Sequence, residues 1–275
     1  MKVQHDIHTH TRLSLCAQPS ATLDYYIRSA KKLGLNTVGL SDHLWDSAIP
    51  FPAGMHHASY GEGGCDWYRA QDLSHIRELL PELNAADREG IRFFFGAEVE
   101  YCQGRGAAIT MEHAETLDYL IVPNSHTHLA MDRALYEPYQ KHADFMLRAA
   151  MDIAAAPTAQ FVTTLVHPFD PVACPYRRDY VWDCLRDSQL TEAFQALAES
   201  GIAAEINTAC FTKCPDDALP NHGLMRILAV AKACGCKFTF GSDSHAEGEE
   251  DTILRAGKIA DILGLTENDL ADFVK

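Results

Sequence analysis

The sequence predicts an α/β barrel built as one domain, and three observations carry that prediction. Seven short runs rich in β-branched and aromatic residues recur along the 275 residues, and longer segments with helical spacing separate them. Strand alternating with helix implies a parallel sheet, and seven repeats favour a closed or nearly closed barrel over an open sheet. Histidines and carboxylates collect at or just beyond the end of every run, and in a barrel those ends share one rim. The 47% hydrophobic content suffices for a single large core, so residues 1–275 are read as one unit without linker, internal repeat or low-complexity tract.

The first run, KVQHDIH, is a strand leading into His8 and His10. Period two sets those side chains on one side, where two imidazoles can share a metal. ATLDYYIRSAKKLG follows as an amphipathic helix stopped by Gly34. The second run, NTVGLSDH, closes on Asp42 and His43. Residues 44–68 are rich in glycine, proline and aromatics, which makes them a candidate lid or substrate wall. That segment carries Trp45, His56, His57, Trp67 and Tyr68, the aromatics being ring-stacking candidates or loop anchors. YRAQDLSHIRELLPELNAADREG then reads as helix, and IRFFFGAEVE is the third strand, closing on Glu98 and Glu100. His126 and His128 follow the fourth run, DYLIVPNSH, and LYEPYQKHADFMLRAAMDIAAA is its helix.

The fifth run, QFVTTLVHP, ends at His167, and Arg177 and Arg178 lie in the loop beyond it. Paired arginines there can meet a phosphate through a bidentate fork, or stand as solvated loop residues. SQLTEAFQALAESG leads to the sixth run, IAAEINT, which closes on Glu205 and Asn207. LMRILAVAKACG leads to the seventh, KFTFGSDSH, which closes on Asp243 and His245. DTILRAGKIADILG reads as a covering helix, and Thr266 as the N-cap of a last short one.

With 23 basic and 38 acidic residues the formal net charge is −15. Such a chain lacks the cationic footprint that holds a nucleic-acid backbone, which argues against extended nucleic-acid binding while leaving room for a small phosphorylated substrate. No apolar run reaches about 18 residues and no cationic-then-apolar leader is visible, so no membrane association and a soluble, cytoplasmic chain are expected. Nine cysteines, an odd number without a secretory signal, read as reduced thiols. Cys234 and Cys236 read as packing residues, as do Cys210 and Cys214. Nothing in the pattern sets an oligomeric state.

A rim holding this many imidazoles and carboxylates without metal would be a costly collection of desolvated polar groups. Mixed histidine and carboxylate ligands suit zinc, iron or manganese better than magnesium, and the candidates outnumber the ligands of one tetrahedral ion. Two to three divalent ions are therefore expected. Glu205 is read as a rim hydrogen-bond acceptor. His5, His75, His113, His142 and His222 are read as structural or exposed.

The strings DIHTHT, SDH, GAEVE, VHP and GSDSH, in this order, resemble the PHP (polymerase and histidinol phosphatase) family from residue 6 to about 246. The resemblance implies a distorted (β/α)7 TIM-like barrel with a multinuclear metal site at its C-terminal rim, and phosphoester hydrolysis. Carried over by position, it implies one ion on His8, His10, Glu98 and Asp243. A second would share Glu98 and add His43, and a third would take His167, His245 and one histidine of NSHTH, His126 in preference to His128 because it lies nearer the strand end. Cys16 stands where the family often has another histidine; it is a candidate ligand, since thiolate can bind zinc or iron, although the family tolerates non-ligating residues there.

The implied chemistry is attack on phosphorus by a metal-activated hydroxide. Asp42 would orient His43 or a ligand water, and His128 is a candidate general acid. Histidinol phosphate is one family substrate, so the expected activity is removal of phosphate from a small phosphorylated metabolite. A nucleotide or oligonucleotide phosphoesterase, a metallohydrolase acting on a non-phosphate bond, and a catalytically silent binding barrel are the alternatives.

Overall fold

The computed structural model describes residues 1–46, 62–130, 138–172 and 177–275. Its strands are β1 (His5–Thr9), β2 (Thr37–Leu40), β3 (Arg92–Glu98), β4 (Tyr101–Cys102), β5 (Gly106–Ala107), β6 (Tyr119–Pro123), β7 (Val162–Val166), β8 (Ala203–Asn207) and β9 (Phe238–Gly241). Seven of them form one sheet in the order β1-β2-β3-β6-β7-β8-β9, with every neighbouring pair parallel. The sheet curls until its two ends nearly meet. At the C-terminal ends of β1 and β9 the His10 N–H donates to the Ser244 carbonyl at 2.9 Å, and the Asp243 N–H donates to the His8 carbonyl at 2.8 Å. The result is a nearly closed TIM-like barrel with helices outside.

Every residue of β1, β2, β6, β8 and β9 is buried. Strands covered on both faces need no polar side, which is why β2, β6 and β9 read as near-continuous runs rather than alternating ones, whereas β1 (HDIHT) and β8 (AAEIN) bury polar residues of the site. The helix Leu23–Leu33 starts where the Thr22 side chain accepts the Tyr25 N–H, and it stops at Gly34, whose φ of 72° a glycine adopts without a Cβ penalty. Helices Tyr139–Ala155, Asp187–Glu199, Gly223–Ala233 and Arg255–Leu263 match predicted segments. Thr266 caps the short turn Glu267–Asp269 as expected, and a second short turn, Asp272–Val274, follows it.

Three expectations need correction. The helix anticipated between residues 68 and 90 is broken into Glu62–Arg69, Ser74–Arg77 and Leu80–Ala85. Asp72 captures the Ser74 N–H to restart the chain, and Pro81 suits only a first turn. The covering helix begins as a tighter 3-10 turn, Glu249–Leu254. The expectation of reduced thiols fails at one pair, because Cys65 and Cys102 form a disulfide. The β4-β5 hairpin carries Cys102 against the helix bearing Cys65, a meeting across 37 residues of sequence that no local spacing announces. Cys234 and Cys236 instead face the Thr191 and Phe194 carbonyls, in keeping with packing.

Glycines make room inside the barrel for one large side chain. A Cβ on Gly96 would overlap the Tyr119 ring and stand 2.6 Å from the Tyr119 carbonyl oxygen, while one on Gly39 would stand 2.8 Å from the Ile7 Cα. Tyr119 uses that room to donate its hydroxyl to the Ile7 carbonyl at 2.9 Å, next to His8. Gly96→Ala is therefore expected to destabilise the fold by about 1–3 kcal/mol through overpacking. Urea unfolding measures it, and an unchanged midpoint would mean the ring and the strand yield freely.

Candidate metal centre

Glu98, the last residue of β3, stands at the middle of the rim. Its Oε1 lies 3.1 Å from His167 Nε2 and 3.5 Å from His126 Nε2. Its Oε2 lies 3.3 Å from the Nε2 atoms of both His8 and His10, and 3.5 Å from His43 Nδ1. Asp243 Oδ1 completes one side, 3.4 Å from the same two Nε2 atoms. His245 stacks on His10, with ring centroids 4.1 Å apart. Eight of the nine residues expected as ligands thus gather at the C-terminal ends of the strands.

Their grouping differs from the expected one. Ligand atoms cluster as His8, His10 and Asp243, as His8, Glu98 and His167, and as His10, His43 and His245. His245 was expected beside His126 and His167. Because β9 returns to β1, the residue at its end stacks on His10, while His126 and His167 follow β6 and β7 and stack on each other at 4.9 Å. Cys16 is exposed and belongs to none of the three groups.

Behind the imidazoles stands a row of partners. His8 Nδ1 meets Glu205 Oε1 at 2.7 Å, His10 Nδ1 meets Ser14 Oγ at 3.2 Å, and His126 Nδ1 meets both Glu100 oxygens at 3.0 Å. His167 Nδ1 pairs with Ser125 Oγ, and His245 Nδ1 faces the Asp243 carbonyl at 2.9 Å. Such partners fix ring orientation and leave the opposite nitrogen as a lone pair toward the centre. Asp42 accepts from the Thr11 N–H and hydroxyl, both at 2.7 Å, and from Ser14 Oγ at 2.6 Å. It therefore reaches His10 through Ser14, and His43 only through that residue's main-chain N–H on Ser14. Sequence reasoning missed Ser14 and Ser125, because serine carries no spacing signal of its own.

The donor set fits divalent ions. With Nδ1 of His8 and His10 turned outward to Glu205 and Ser14, their Nε2 atoms lie 3.1 Å apart and converge with two carboxylate oxygens, so the neutral Nδ1–H form of both rings presents two lone pairs to one point. His43 Nδ1 is buried without a hydrogen-bond partner while facing Glu98. Both features ask for a cation, and nitrogen with carboxylate donors suits zinc, iron or manganese.

The PHP domain model matches residues 6–209, from β1 through the end of β8. The chain belongs to the PHP family. No curated protein matches it. Among solved structures, a histidinol phosphate phosphatase from Lactococcus lactis, complexed with zinc, L-histidinol and phosphate, is 18% identical with a TM-score of 0.59, covering 96% of this chain and 94% of its own. A putative histidinol phosphatase from Listeria monocytogenes is 14% identical with a TM-score of 0.57, covering 90% and 97%. Both share the barrel with this PHP chain.

Charge in the PHP centre is tightly matched. Burial opposes a carboxylate charge on Glu98, but His126, His43 and His8 outweigh it and hold Glu98 well below the usual range. Burial likewise opposes charge on His8, yet Glu205, Asp243 and Glu98 hold it well above its ordinary value. His43 is driven well below, first by burial, with the charges of His10, His126 and His245 acting the same way.

The remaining expected residues lie around this core. His128 is half-buried, edge-on to His126 at 5.2 Å. Arg178 donates to the buried Asp170 at 2.8 Å, and the Asp170 N–H bonds the His167 carbonyl at 3.1 Å. Arg177 is exposed, paired with Asp179 and set over the Tyr180 ring. Trp45 stacks on His43 at 4.5 Å, and Trp67 and Tyr68 are buried, so these aromatics anchor the rim. His56, His57 and most of the expected lid lie outside the described residues. Among the described residues no helix is long and apolar enough to cross a membrane.

One consequence is a pH-dependent stability of the metal-free protein. Burial opposes charge on His126, but Glu100 and then Glu98 raise it from 6.5 to about 9. A histidine raised by folding stabilises fully below its unfolded value and loses that contribution as pH rises through its folded value. Chelator-treated protein should therefore melt at lower temperature as pH climbs from 6.5 to about 9, and His126→Gln should lessen that fall. A parent melting temperature flat across this window would contradict it.

Proposed function

We propose that this PHP chain is a metal-dependent phosphoesterase that releases phosphate from a small phosphorylated metabolite, with histidinol phosphate the first candidate. The observation that carries the reading is the convergence of His8, His10, Glu98 and Asp243 on one point, at 3.1–3.4 Å, in a chain of this family. These four residues would hold one ion, Glu98 with His126 and His167 a second, and His10's neighbours His43 and His245 a third. Cys16 would join the third only after losing its proton. When bound, such ions supply Lewis acidity to phosphoryl oxygens and lower the pKa of water.

The protein's own groups do the rest. Buried imidazoles and carboxylates hold the donors rigid, so little reorganisation accompanies the reaction. Arg178, oriented by Asp170, would receive a phosphate oxygen, and Arg177 would follow from the surface by leaving Asp179. His128 would carry the proton to the leaving oxygen. Asp42, through Ser14, would keep His10 aimed at the centre. The acidic balance of the chain, 23 basic against 38 acidic residues, supports a compact substrate over a long polyanion.

The test is phosphate release from a panel of histidinol phosphate, nucleoside monophosphates and a short oligonucleotide, before and after chelation. One phosphomonoester should be turned over, chelation should abolish turnover, and His128→Ala should keep its metal while losing about 10²–10⁴-fold in kcat. Metal-replete, folded protein that releases phosphate from no member of the panel would overturn the reading and point to a non-phosphate bond.

A further inference from the structure

We propose that Glu205 is a positioning residue: without facing the centre, its carboxylate fixes the His8 proton on Nδ1 and seats His167 and Asp243. The inference rests on reading the rim as a metal centre. Glu205 Oε1 lies 2.7 Å from His8 Nδ1, and its Oε2 accepts the His167 main-chain N–H at 2.7 Å and the Asn207 amide at 3.1 Å. That same amide reaches Asp243 Oδ2 at 3.3 Å, leaving Oδ1 turned to His8 and His10. One buried carboxylate therefore ties together the ends of β1, β7 and β9.

Two further observations show that the fold is arranged around this group. A Cβ on Gly241 would collide with Glu205 Oε1 and stand 2.6 Å from His8 Cβ, so β9 presents bare backbone where the pair meets. His167 and Asp243 both have left-handed backbone, with φ of 30° and 57°. Such conformations are costly for side-chain-bearing residues and persist only where surroundings enforce them. The Glu205 bond to the His167 N–H and the Asn207 bond to Asp243 are part of that enforcement.

A carboxylate suits the place because all its partners are donors. With the His8 proton on Nδ1, the Nε2 lone pair faces His10, Glu98 and Asp243. Glutamine has nearly the same shape but offers one acceptor and one donor. If its oxygen keeps the His167 N–H, its amide donates to His8 Nδ1 and drives the imidazole proton to Nε2, where a metal lone pair is needed.

Metal-free parent and Glu205→Gln proteins, labelled with ¹⁵N-histidine, should be compared by NMR along an alkaline pH series, the tautomer being read where the His8 ring is neutral, with zinc affinity measured by chelator competition and folding by circular dichroism. The expected result is a His8 Nδ1–H tautomer in the parent, an Nε2–H tautomer in the variant, and zinc binding weakened about 10–100-fold. Unchanged zinc affinity, or an unchanged tautomer in the folded variant, would overturn the positioning role alone. An Nε2–H tautomer in the parent would overturn it without recourse to the variant. Failure of the parent to bind zinc or any other divalent ion would overturn this inference together with the metal-centre reading.

Discussion

The structure depends on a single carboxylate surrounded by imidazoles. Glu98 lies within 3.5 Å of a ring nitrogen of His8, His10, His43, His126 and His167, residues that follow four other strand ends. A buried carboxylate costs several kcal/mol unless its charge is met, and five imidazoles in one place repel if they protonate to meet it. Divalent ions resolve both demands, since they match the carboxylate and use the histidines as neutral ligands.

Barrel closure is what makes that gathering possible. β1 and β9 are joined at their C-terminal ends by the His10–Ser244 and Asp243–His8 backbone bonds, so the first and last strands deliver ligands to the same point. Tyr119, admitted by Gly39 and Gly96, packs beneath and bonds the Ile7 carbonyl. Above it the outward nitrogens of His8, His10, His126, His167 and His245 have partners in Glu205, Ser14, Glu100, Ser125 and the Asp243 carbonyl respectively. The site is thus rigid from the core outward, and the aromatic rings of Trp45, Trp67 and Tyr68 buttress its edge.

All seven barrel strands were legible in the sequence, because each is a short run of mostly apolar, β-branched or aromatic residues, or of buried polar ones in β1, whose polar end marks the rim. His8, Glu98 and Asp243 could be named for that reason, and Glu205 could be read as an acceptor. The sharing of ligands was not legible: placing His245 beside His10 needs the β9-to-β1 closure, which no local pattern encodes. Ser14 and Ser125 stayed hidden because their role exists only in three dimensions. The Cys65–Cys102 bond and the two-residue strands of its hairpin were hidden for the same reason. The broken helix after residue 62 was missed because apolar spacing continued across Asp72 and Pro81, which interrupt the backbone without interrupting the pattern.

The most direct measurement is the metal content of the purified protein by elemental analysis, per folded chain and after removal of loosely held ions. The account predicts two to three equivalents of zinc, iron or manganese, falling when Glu98 is replaced by alanine. A parent protein that is folded, retains no divalent ion and takes up none when these metals are supplied would contradict it, because the converging lone pairs and the orphaned His43 nitrogen would then have no cation to answer them.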